Sequence, residues 1–180
     1  MKKILLTILP IILVLIISNN VHAQDDVIPY LRNKLFYTPF DVDKSFTFYK
    51  EIKAIKDKTP LIEAYKGAAE AVIAEQHWNP ISKLSYLKQS LKTLSGAIQD
   101  DMENVEIRFI RFYIESNAPR LLGLSGHIDE DKSIIMSNLY AVDKEALGND
   151  LVKYIVGYMI ESGLCTPQEI SIIKSRLTYY

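Results

Sequence analysis

Residues 104–123 read NVEIRFIRFYIESNAPRLLG, and the interpretation of this stretch decides the fold. At about 100° per residue, Asn104, Arg108, Arg111 and Glu115 share one narrow sector of a helix. Val105, Phe109, Phe112 and Tyr113 cover one flank, and Ile107, Ile110 and Ile114 the other, with Glu106 and Asn117 as exceptions. A helix this apolar must be packed by neighbours on two or more sides, so the chain is expected to build an array of helices around it. The polar sector is then the one strip left for water. Two readings of Arg108 and Arg111 are open. Their stems can cover apolar neighbours with the charged heads in solvent, or the two guanidinium groups, one turn apart, can form a fork for a carboxylate or phosphate at the mouth of a groove. Glu115, four residues beyond Arg111, offers an intrahelical pair worth about 0.2–0.5 kcal/mol.

The flanking sequence carries helical periodicity throughout, without a convincing series of alternating strands. Phe48, Ile52 and Ile55 recur at helical spacing after Asp43, read as a cap, and that helix is expected to end near Asp57. Thr59 and Pro60 then give a cap and a first helical position where the missing N–H costs nothing. In IEAYKGAAEAV, Ala64, Gly67, Ala68 and Ala71 form a small-residue face that admits a close neighbour. Trp78-Asn79-Pro80 breaks the chain. Trp78 is expected to close that corner with its indole, or alternatively to stack on a ligand beside a groove. From Pro80, Leu84, Leu87, Leu91, Leu94 and Ile98 form an apolar stripe, with Lys83, Lys88 and Lys92 on the solvated side. Beyond the Asn117-Ala118-Pro119 break, Asp129, Glu130 and Asp131 suit a helix N-terminus. DLVKYIVGYMIESG is apolar almost all round, which predicts a central helix ending on Gly163. Thr166-Pro167-Gln168-Glu169 reads as a capping box opening the last helix. The expected fold is all-α, six or seven antiparallel helices over residues 43–180.

The chain opens MKKILLTILPIILVLIISNNVHAQ, with Lys2 and Lys3 ahead of an apolar run from Ile4 to Ile17 and a Val21-His22-Ala23 step. This is the pattern of a signal peptide over residues 1–23, cleaved after Ala23, and the run is short for a membrane span. Residues 24–42 are an aromatic-rich arm interrupted by Pro29 and Pro39, read as a short helix with an extended segment. Cleavage leaves roughly 157 residues, the size of one domain. Of 21 basic and 22 acidic residues it removes two lysines and no acid. The resulting surplus of acid argues against a nucleic-acid partner, which needs clustered basic charge.

Chemistry-bearing motifs are sparse. Cys165 is the only cysteine, so no intramolecular disulfide forms, and its SGLCTP setting suits a half-buried structural position. His77 and His127 lie far apart without zinc-site spacing, and no cofactor motif is present. Gly123-Leu-Ser-Gly-His127 misplaces the second glycine of a nucleophile elbow and follows no strand, so Ser125 and His127 are not read as a hydrolytic pair. Asp100, Asp101 and Glu103 lack the ligand spacing of a calcium loop.

AYKGAAEA, WNPISKLSYL, AIQDDMENVEIRFIRFYIESNAPRLLG and DEDKSII together resemble an uncharacterised family of exported helical bacterial proteins, most from Gram-negative bacteria and without an assigned activity. The resemblance implies a periplasmic address and no particular reaction. AIQDDMENVEIRFIRFYI also looks like the junction of a tetratricopeptide repeat. It departs from that family at Met102, where proline is preferred, and at bulky Phe112, and no self-similarity of roughly 34 residues recurs. Tetratricopeptide-like hairpins closed into one domain are therefore expected. The functional expectation is an exported helical interaction or scaffold protein of the periplasm, without evident catalytic chemistry, holding a protein segment in a groove. Its candidate binding residues are Arg108, Arg111, Glu115 and Trp78. The alternative is a bundle that binds a small apolar or anionic ligand in a pocket lined by aromatic residues such as Phe36, Phe40, Phe46 and Tyr65.

Overall fold

A computed structural model describes residues 27–141 and 147–177; the proposed signal peptide and its cleavage point lie outside them. The described residues are all-α, as the helical periodicity predicts. Contacts divide the chain at Phe40/Asp41 into two units. The first contains helix α1, Val27–Tyr37, with Lys34 Nζ over the Tyr30 ring at 5.7 Å. Thr38 closes the helix end by donating its hydroxyl to the Asn33 carbonyl at 3.2 Å.

The second unit opens with α2, Val42–Ala54. Its cap is Asp41 rather than Asp43: the Asp41 carboxylate accepts the Lys44 N–H at 2.8 Å, and the helix ends short of Asp57. Helix α3, Pro60–Gln76, starts as the sequence predicts, with the Thr59 hydroxyl accepting the Ile62 N–H at 3.3 Å. Helix α4, Pro80–Asp100, is capped by Asn79, whose side chain accepts from Ile81 and Ser82. After a short turn comes α5, Val105–Asn117, capped by Asn104 through bonds from the Glu106 and Ile107 N–H groups. A 3₁₀ turn at Arg120–Leu122 leads to α6, Ile128–Asn138. Helices α7, Asn149–Glu161, and α8, Pro167–Leu177, complete the described chain.

The central helix is α3, not the apolar α7. It packs against α2, α4 and α5, because alanine and glycine let three neighbours approach closely. At Gly67 an added Cβ would stand 2.9 Å from Leu94 Cγ and 3.2 Å from the Ser90 carbonyl, so α4 crosses where no side chain fits. Helix α7 is one-sided instead. Leu151, Val152, Ile155, Val156 and Met159 are buried, while Lys153 is exposed. Gly163 follows its end at φ 71°, in the left-handed region where glycine is least strained. The capping box at α8 is complete: Glu169 Oε2 accepts the Thr166 N–H at 2.7 Å and Thr166 Oγ1 accepts the Glu169 N–H at 3.2 Å.

Successive helices α2 to α6 run antiparallel. The connections between them are short, and cross-helix pairs fix the direction. Phe46 meets Tyr86, Tyr65 donates its hydroxyl to Glu106, and Asn138 reaches the Glu103 carbonyl. The start of α2, the α3–α4 junction and the α5–α6 connection therefore lie at one end of this unit. The α2–α3 and α4–α5 connections lie at the other.

Candidate functional site

The polar sector of α5 does not face water. Arg108 is 5% exposed and Arg111 3%, which corrects the expectation of a solvated strip. The charge has a partner on α6 instead. Arg111 presents its side to Asp131, Nε donating to Oδ2 at 2.7 Å and Nη2 to Oδ1 at 2.7 Å. Arg108 Nη1 donates to the same Asp131 Oδ1 at 3.0 Å and to Glu130. Its Nε donates to the Met102 carbonyl at 2.7 Å, so this one side chain joins the α4–α5 turn, α5 and α6. Asp131 is 0% exposed. Both guanidinium groups are bonded to one carboxylate of the same chain.

The electrostatics follow from this geometry. Burial works against the Arg108 charge, but the hydrogen bonds to Glu130 and Asp131 outweigh it and hold the guanidinium above its ordinary pKa. The bond from Arg108 holds the Glu130 carboxyl below its ordinary value although that side chain is partly exposed. Two guanidinium groups against two carboxylates leave no net charge in the cluster, which is how charged groups are tolerated away from water.

Glu115 turns to the α5–α6 connection, not to Arg111. Its buried carboxylate accepts the His127 N–H at 2.8 Å and bonds His127 Nδ1 at 2.7 Å, while the Glu115 carbonyl accepts the Ser125 hydroxyl at 3.0 Å. Ser125 and His127 are thus joined through Glu115 as loop anchors. On the other side of α5, the rings of Tyr154 and Tyr158 meet Phe109 edge-on at 6.0 and 5.8 Å. Tyr158 Oη also accepts from Asn117 Nδ2 at 2.6 Å. Helices α3, α4, α6 and α7 together enclose α5, which is why even its polar sector is covered.

Trp78 is 86% exposed, so it does not close the α3–α4 corner. That corner is held by the Asn79 cap, by the Asn79 N–H bond to His77 Nδ1 at 3.2 Å, and by the His77 ring tilted against Tyr86 at 6.0 Å. Ile81 beside it is 81% exposed, and Leu121 on the α5–α6 connection is 100% exposed, with Leu122 and Val42 also open. All five lie at the same end of the unit. Among the described residues, Met102 marks the opposite end.

The sequence points to Arg108, Arg111, Glu115 and Trp78. The structure brings the first three to the α5–α6 seam and leaves Trp78 on a different surface. Asp131, Glu130 and His127 complete the seam. The available signal for them was that an almost uniformly apolar helix leaves its arginines in need of acids on the next helix. Of the aromatic residues proposed to line a pocket, Tyr65 is fully buried and bonded to Glu106.

A shallow cleft of about 420 Å³ lies between α6 and α8, lined by residues including Lys132, Ser133, Met136, Glu169 and Ile172. The Lys132 ammonium within it donates to the Leu164 carbonyl at 3.0 Å and pairs with Glu169 and Asp129. Burial raises the Cys165 thiol pKa, which disfavours the reactive thiolate. No group of three or more metal-ligating side chains is assembled among the described residues, and no described helix is long and apolar enough to cross a membrane. No protein-family model, curated protein or solved structure matches the chain.

Proposed function

We propose that this chain is an exported helical interaction module of the bacterial periplasm, with the Trp78 end of its second unit as the working surface. The observation that carries this reading is the exposure of Trp78, Ile81 and Leu121 at one end of the unit. Apolar side chains delivered by separate connections to the same end suit recognition better than catalysis. The arginine seam supports the reading from the other side: its donors are engaged internally, so it serves as the rigid mount of the α5–α6 connection. Export is supported by the signal-peptide pattern of residues 1–23.

The test is site-specific photocrosslinking in the native envelope. A photoreactive residue at position 81 or 121 is expected to give discrete adducts, and one at position 102 few. Equal labelling at all three positions, or none at 81 and 121, would overturn the reading. N-terminal sequencing of the envelope protein is expected to begin at Gln24, and an intact Met1 would contradict export with cleavage.

A further inference from the structure

We draw no further inference here: the strongest candidate, the cleft between α6 and α8, carries nothing, because its Lys132 ammonium is already bonded to the Leu164 carbonyl, Glu169 and Asp129 of the same chain and nothing in the structure shows what would occupy it.

Discussion

Asp131 holds two guanidinium groups on one carboxylate with no exposure to solvent, and this residue sets the relation of α5 to α6. A fork offered to a ligand would leave donors open. Here Arg111 meets Asp131 through two parallel bonds, the arrangement that fixes direction as well as charge. Gly67 does similar work by contact alone. Gly67→Ala is expected to lower stability by about 1–3 kcal/mol, because Leu94 and the Ser90 backbone stand in the way. Gly96→Ala, also inside a helix but with no atom within 4 Å of the new methyl, should raise stability by about 0.5–1 kcal/mol. Urea unfolding of both variants checks the contrast, and equal effects would show that the close approach at Gly67 is not limiting.

Among the elements, capping chemistry was the most legible part of the sequence. Thr59-Pro60 and the Thr166-to-Glu169 box fold as read, since each is a local arrangement whose donors and acceptors lie within one turn. Thr166→Ala should cost about 1 kcal/mol in urea unfolding. Acid provides a second test. The bond from the Thr166 N–H, with further help from Lys132, holds the Glu169 carboxyl below its ordinary pKa, and Arg108 does the same for Glu130. A carboxylate with a lowered folded pKa contributes stability above its unfolded pKa of about 4.3 and loses it as pH falls through the folded value. The melting temperature should therefore drop below about pH 4, and less steeply in Glu130→Gln and Glu169→Gln. Parallel profiles for all three proteins would exclude these groups.

The less legible features depend on contacts distant in sequence. The strip of α5 looked wet because nothing within residues 104–117 shows that Asp131, twenty residues beyond Arg111, covers it. The acids at 129–131 do stand in the first turn of α6, but that position alone does not show that Asp131 pairs with α5. Helix α7 looked central on composition, but α3 takes that place because small side chains, not apolar ones, decide how many neighbours can approach. The expectation that Trp78 closes a corner rests on its place at a helix junction. The Asn79 cap already satisfies that corner and leaves the indole outside.

At the level of the second unit, α5 is enclosed by α3, α4, α6 and α7, and its arginines are buried in the α5–α6 seam. The seam holds the connection that carries Leu121 at the same end of the unit as the α3–α4 junction that carries Trp78, so a rigid interior supports an end with exposed apolar side chains. The measurement that tests this most directly is a double-mutant cycle of Arg111→Met and Asp131→Leu by urea unfolding. Each single change should cost about 3–5 kcal/mol, because it strands a buried charge. The double variant should cost far less than the sum of the two, since its apolar side chains meet in the same space. Small, additive costs would contradict the account, for they would mean that the two arginines stand in water and that the seam does not hold α5 in place.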